Sequence, residues 1–157
     1  MENSINEKKE IAVRELHQAI LKHWNDKNAA GFAAMFAVDG NAVGFDGSQM
    51  NGQQQINKEM NVVFANHDVA SYIGVTREIR ALSTGVFILR AVAGMVPPGK
   101  LAINSEVNAV QTLIAQEVNG SFKVALFHNT PAAFHGRPEL SIQLTAELQQ
   151  ALDEQGQ

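Results

Sequence analysis

The stretch LAINSEVNAVQTLIAQEVNGSFKVALFHN, residues 101–129, contains the clearest structural signal in this sequence. Asn119-Gly120 is the residue pair most typical of a two-residue turn between antiparallel strands. The segments on both sides are rich in valine, isoleucine, leucine and phenylalanine, as expected of strands with a buried face. We therefore predict a β-hairpin with strands over 101–118 and 122–129.

A two-residue turn also predicts which residues face one another across the hairpin. If Val118 lies opposite Ser121, then Gln111 lies opposite His128. Side chains alternate between the two faces of a strand, so Gln111 and His128 share one face and Asn129 lies on the other.

Two more strands precede the hairpin, and helices flank the strands. Apolar residues alternate with period two over 69–81, and a strand over 86–96 is apolar on both faces. Tight turns between consecutive strands predict an antiparallel meander. A short strand over 42–45 comes earlier in the chain. The order of elements predicts an α+β fold with helices packed on one side of a strongly curved, mainly antiparallel sheet.

Four helices are predicted from apolar spacing near 3.6 residues. The first covers about 4–27, with Ser4 and Glu7 at capping-box spacing. A short second helix is capped by Asn28 and includes Phe36, and a third is capped by Asn51. The fourth starts near Pro138 and carries a leucine at every fourth position from 140 to 152.

Length and composition limit the classes of protein to consider. With 157 residues, 45% hydrophobic and 18% charged, we predict one domain over 1–157. Residues 5–131 form its core, 138–153 form a docking helix, and 154–157 are disordered. The net charge of −4 and the lack of basic runs argue against a nucleic-acid partner. The polar first ten residues and the lack of long apolar stretches predict a cytoplasmic protein with no membrane partner.

Metal and cofactor sites are not predicted. The chain has no cysteine, which excludes thiol chemistry and thiolate-ligated zinc. His17 and His23 are six residues apart, so they lie on different faces of the first helix. No phosphate-binding glycine loop or dinucleotide fingerprint follows a predicted strand, so no cofactor is expected.

Short motifs, taken in order, resemble the nuclear transport factor 2-like superfamily and within it the SnoaL-like branch with its SgcJ/EcaC-type group. The motifs are Trp24-Asn-Asp26, Phe36-Ala-Val-Asp39, Phe45-Asp-Gly47, Asn51-Gly52 and Phe127-His-Asn-Thr130. The resemblance covers residues 5–131. It implies a cone-shaped domain with one pocket, commonly homodimeric through its sheet. The superfamily includes isomerases, cyclases, dehydratases, hydrolases and non-enzymatic binders, so the resemblance does not fix a function.

Two ionisable residues are candidates for catalysis. Histidine is a residue type that can donate or accept a proton in catalysis. His128 would reach a pocket from the end of the last strand, or it is a partly buried histidine bonded to Gln111 or to the backbone. Asp46 follows the short strand at the expected pocket mouth, where it could act as a base, although Asp-Gly is also an ordinary turn pair. The resemblance implies that the base aspartate of steroid isomerases would fall at Gly44, so that mechanism lacks its base here.

Six residues are candidates for ligand binding. Trp24 and Tyr72 could form pocket walls, with core packing and an interface as their respective alternatives. Gln111 and Asn129 could orient a ligand from the hairpin. Arg90 and Glu106 are predicted to lie at similar heights, near Arg77, on neighbouring strands. That cluster would be a structural or dimer ion pair, or an anchor for a ligand carboxylate.

Two hypotheses for function follow. The first is a homodimer that binds a small apolar or mixed-polarity molecule, with cofactor-independent acid–base chemistry if it is an enzyme. The second is a non-catalytic ligand carrier or an oligomerisation module. An open, polar-lined pocket would favour the first hypothesis. A pocket filled by phenylalanine and methionine, with a broad apolar sheet face buried between chains, would favour the second.

Overall fold

A computed structural model describes residues 2–155 of the chain. Its helices and strands, in chain order, are α1 Glu2–Asn25, α2 Ala29–Ala34, β1 Phe36–Val43, β2 Gln49–Asn51, α3 Gln53–Asn66, β3 Ser71–Ser83, β4 Val86–Val96, β5 Ala109–Val118, β6 Ser121–Pro131 and α4 Pro138–Gln155. The helix α4 continues two residues into the segment for which disorder is predicted, and residues 156–157 lie outside the described part. No helix within residues 2–155 is both long and apolar enough to cross a membrane.

Six strands form one sheet in the order β2-β1-β6-β5-β4-β3. The predicted meander β3-β4-β5-β6 is antiparallel throughout. The strand β1 pairs with β6 in parallel and with β2 in antiparallel, and β2 was not predicted. Three residues are too few for an alternating apolar pattern to appear in the sequence.

The predicted hairpin register is correct near the turn and wrong beyond it. Val118 faces Ser121 and Ala115 faces Val124, as predicted, but Ile114 faces Leu126. Ala125 is therefore an extra residue in β6, a β-bulge. Since side chains alternate along a strand, this single insertion moves every later residue of β6 to the opposite face.

Three predicted boundaries also need correction. Residues 101–108 are a loop with a 3₁₀ turn rather than a strand, because Asn104 Oδ1 accepts a hydrogen bond from Glu106 N (3.1 Å) and closes a local turn. Gly52, not Asn51, is the N-cap of α3, and Asn51 ends β2. Phe36 begins β1 rather than ending α2, whereas Asn28 caps α2 as predicted.

The main core lies between the sheet and the helices α1, α2 and α3. Val13, Ile20, Phe87 and Leu113 are fully buried there. Gly74 on β3 lets α1 approach closely, because a Cβ atom at this position would lie 2.7 Å from Leu21 Cδ1.

The helix α4 packs on the other face of the sheet, away from α1, α2 and α3. Its Leu144 and Leu148 form a second core with Ile73 of β3 and Val92 of β4. The predicted placement of all helices on one side is therefore wrong for α4. The fold class is confirmed: helices pack on a six-stranded, mainly antiparallel curved sheet.

Candidate functional site

An open cavity of about 600 Å³ lies between the inner face of the sheet and α3. Its walls come from α1, α2, α3, β1, β2, β3, β4 and β6 and from the loop between β1 and β2. Most of the lining side chains are apolar, and they include Trp24, Phe32, Met50, Met60, Val63 and Phe127. An apolar surface of this size that stays accessible is a typical small-molecule site.

Trp24 is held rigidly in the cavity wall. Its indole Nε1–H donates a hydrogen bond to Ala70 O (2.9 Å). Its ring meets Phe64 and Tyr72 edge-on, with ring centroids 5.4 and 5.3 Å apart. The indole N–H is therefore occupied within the protein, so Trp24 contributes an apolar surface rather than a free donor.

Tyr72 also lines the cavity, at the start of β3. Burial raises the pKa of Tyr72 to about 12, because a phenolate would lose its hydration there. The phenol stays protonated at neutral pH, so it can donate a hydrogen bond but cannot act as a base.

Three buried polar side chains run from α1 to the cavity wall. His17 Nε2 lies 2.8 Å from Gln111 Oε1, and Gln111 Nε2 donates to Asn129 Oδ1 (2.9 Å). Burial lowers the pKa of His17, and nearby Arg14 lowers it further, whereas the hydrogen bond that His17 makes with Gln111 Oε1 acts in the opposite direction. His17 and Gln111 are enclosed, and Asn129 lines the cavity.

Asp46 lies at the mouth of the cavity and is exposed to solvent. Its Oδ1 accepts a hydrogen bond from Ser48 N (2.9 Å), which closes the turn between β1 and β2. The hydrogen bonds from Ser48 hold the pKa of the Asp46 carboxyl below its ordinary value. A carboxylate stabilised in its charged form is a weak base, so this geometry favours the turn interpretation of Asp46.

His128 and Asn129 are exchanged relative to the predicted register. His128 faces Thr112 on the outer face of the sheet and is exposed, whereas Asn129 faces Gln111 on the inner face. The bulge at Ala125 causes the exchange. The geometry therefore places Asn129 in the cavity wall and His128 outside it.

Arg90 and Glu106 do not form the predicted cluster with Arg77. Arg90 is exposed on the outer face, 3.5 Å from Glu78, and Arg77 pairs with Glu147 of α4. Glu106 lies in the exposed 3₁₀ turn, because the strand β5 begins only at Ala109. The carboxylate anchor predicted from these residues is not formed.

His17 is the site residue that sequence reasoning missed. A histidine within the apolar stripe formed by Val13, Leu16 and Ile20 is a signal for a buried polar contact, because such a residue needs a partner. No group of three His, Asp or Glu side chains in residues 2–155 is arranged to hold a metal ion.

Comparisons with known proteins identify the fold but do not identify an activity. No family model matches the sequence. No curated protein matches it either.

Several solved structures resemble the chain. A protein of unknown function from Nostoc punctiforme, described as having a cystatin-like fold, has 19% identity and a TM-score of 0.75, with 92% of each chain covered. A candidate scytalone dehydratase from Novosphingobium aromaticivorans has 14% identity and a TM-score of 0.69, covering 83% of this chain and 88% of the other.

A candidate association domain of a calcium/calmodulin-dependent protein kinase type II, from Thiobacillus denitrificans, has 10% identity and a TM-score of 0.65. The match covers 74% of this chain and 91% of the other. Similar structures also include proteins described as NTF-2-like and ketosteroid isomerase-like. The chain therefore has the nuclear transport factor 2-like fold, as the sequence resemblance predicted.

Proposed function

We propose that this protein binds a small, largely apolar molecule in the cavity beside Trp24. The observation that carries the proposal is an open cavity of about 600 Å³ with an apolar wall and few polar groups. A module that only oligomerises would have no use for an accessible apolar interior, and exposing such surface to water is unfavourable. The open cavity thus favours ligand binding over the association alternative.

Three polar residues of the cavity lining favour binding over acid–base catalysis. Two polar side chains of the wall cannot act as bases near neutral pH: the Asn129 amide, which does not titrate, and the Tyr72 phenol, whose pKa is raised to about 12. Lys58 and Glu59 of α3 also line the cavity, and Glu59 Oε1 accepts a hydrogen bond from Gln55 Nε2 (3.2 Å). Asp46, at the mouth, is stabilised as a carboxylate by Ser48. Asn129, Tyr72 and Asp46 are therefore poorly suited to exchange protons near neutral pH.

A competition assay tests the binding proposal. The fluorophore N-phenyl-1-naphthylamine should bind and accept excitation energy from Trp24, the only tryptophan in the chain, and decalin should displace it. Val63 lines the cavity from α3, so Val63→Phe should weaken the binding of both molecules by about five- to a hundredfold through overpacking.

The control for this assay is Ile142→Phe, because Ile142 is 69% exposed on α4 and lies outside the cavity lining. It should leave both affinities unchanged. Absence of binding to the unmodified protein, or equal binding by the Val63→Phe variant, would contradict the proposed function.

We also propose that two copies pair through the outer face of the sheet. Ile88, Ile114 and Leu126 face one another across β4, β5 and β6, and all three are only partly buried. The helix α4 covers the neighbouring β3 side of this face but not this apolar row. A second copy would remove the row from water.

Ile114→Lys should convert the dimer to a monomer, because it places a charge in the centre of that row. Sedimentation velocity at micromolar concentration measures the change directly. Ile142→Lys, on the exposed side of α4, serves as the matched control and should remain dimeric. A monomeric unmodified protein would exclude the proposed pairing.

A further inference from the structure

The buried chain of His17, Gln111 and Asn129 has a defined direction. Gln111 Nε2 donates to Asn129 Oδ1, so the other end of the same amide, Oε1, faces His17. An amide oxygen can only accept, so His17 Nε2 must carry the proton of the 2.8 Å bond. Each group donates to the next, from α1 towards the cavity.

The last group of this chain is the Asn129 carboxamide. Its Oδ1 is engaged by Gln111, and within residues 2–155 no protein group hydrogen bonds with its Nδ2. Asn129 lines the cavity. The group left available to a ligand is therefore an N–H donor.

We propose that His17 and Gln111 fix the Asn129 carboxamide with its Nδ2–H donor towards the cavity, so that the cavity selects apolar molecules carrying an acceptor oxygen such as a ketone. This inference rests on the proposed function and specifies its ligand class. Asn129 is the residue that contacts the ligand, and Gln111 is a positioning residue that acts through it. A ligand oxygen satisfies the Nδ2–H, whereas a hydrocarbon leaves it without a partner.

The donor-to-acceptor direction of the hydrogen bonds from His17 to Asn129 makes Gln111→Glu an informative variant. A carboxylate has no donor, so it must accept hydrogen bonds from both of its neighbours, His17 and Asn129. Asn129 would then turn its Nδ2 towards Glu and its Oδ1 towards the cavity. The polarity presented to the ligand would be inverted by a residue that does not contact the ligand.

Three probes with one carbon skeleton distinguish a cavity that presents an N–H donor from one that presents an acceptor oxygen. They are decalin, 2-decalone and 2-decalol, each measured by displacement of N-phenyl-1-naphthylamine at pH 8. The unmodified protein should bind both oxygenated probes about two- to tenfold more tightly than decalin, the contribution of one neutral hydrogen bond. The Gln111→Glu variant should lose this preference for the ketone and keep it for the alcohol, which can donate. Decalin affinity should stay the same in this variant. A substitution that only disturbed the structure would change the decalin affinity as well.

Asn129→Asp provides a second route to the same result if Gln111→Glu does not fold. It keeps the acceptor for Gln111 and replaces the cavity-facing NH₂ by an oxygen, so the ketone preference should again be lost while the alcohol preference remains. Asn129→Leu should remove both preferences. Tyr72→Phe is the control for the phenol in the cavity wall and should keep the ketone preference.

The outcomes separate the two proposals. If the unmodified protein binds decalin and 2-decalone equally, the ligand class is wrong and the proposed binding function stands. If no probe binds, the proposed function fails and this inference fails with it. A ketone preference that survives in folded Gln111→Glu and Asn129→Asp, or that is lost only in Tyr72→Phe, overturns the role proposed for the hydrogen-bonded residues His17, Gln111 and Asn129.

Discussion

Gln111→Leu should lower the free energy of unfolding by about 2–6 kcal/mol, although leucine has nearly the same volume as glutamine. The substitution removes the shared partner of two buried groups, His17 Nε2 and Asn129 Oδ1. Leaving one buried polar group without a partner costs about 1–3 kcal/mol, and here two are left. Urea denaturation followed by circular dichroism measures the change.

The triple variant His17→Leu, Gln111→Leu, Asn129→Leu is the matched control. Removing all three polar side chains leaves none without a partner, so it should recover most of the stability that Gln111→Leu loses. Either of two results would show that the three residues do not act as one network. One is a loss below about 1 kcal/mol for the single variant, and the other is a triple variant whose loss of stability equals the sum of the losses of the three single substitutions.

Phe87→Ala should destabilise the fold by about 3–5 kcal/mol, the usual effect of removing a buried aromatic side chain. Phe87 is fully buried on β4, and its ring meets Phe122 edge-on at a centroid distance of 5.6 Å. Its cross-strand neighbours are Ala81 and Ala115, whose short side chains cannot fill the space that the ring would leave. The cost of the resulting void should therefore remain close to its full value.

Thermal and urea unfolding of Phe87→Ala can be compared with Ile142→Ala, a substitution at a site that is 69% exposed. The control should change the stability by no more than about 0.5 kcal/mol. A loss under about 1.5 kcal/mol for Phe87→Ala would mean that the sheet and helices close around the missing ring.

Local signals were sufficient to predict most of the fold. The Asn119-Gly120 turn positions β5 and β6, and the change from period 3.6 to period two locates β3 after α3. Both signals depend only on residues that are neighbours in sequence. The order of the elements, read with the family resemblance, then specified the architecture.

The candidate site was less predictable because it depends on one inserted residue. The bulge at Ala125 has no recognisable sequence pattern, since alanine is tolerated on either face of a strand. Without the bulge, alternation assigns His128 to the cavity side, and with it, Asn129 takes that place. Trp24 and Tyr72 lie before the bulge in the chain, and the structure places both in the cavity wall.

The position of α4 could not be inferred from its own sequence. The leucines at every fourth position predict an apolar face, but both faces of the sheet carry apolar side chains on which this helix could pack. The contacts of Leu144 with Ile73 and Val92, together with the Arg77–Glu147 ion pair, determine that it packs on the outer face. These contacts link residues about 50 or more positions apart, which no local pattern encodes.

The most direct test of the central claim is a ¹⁵N–¹H correlation spectrum of the protein titrated with 2-decalone. We predict that the largest shifts fall on the Nδ2–H₂ signals of Asn129, with smaller shifts at cavity-lining residues such as Val63 and Gly44. Signals of α4, on the other face of the sheet, should not move. Shifts confined to α4 or to the outer face of the sheet, or no shifts at saturating ketone, would contradict the account.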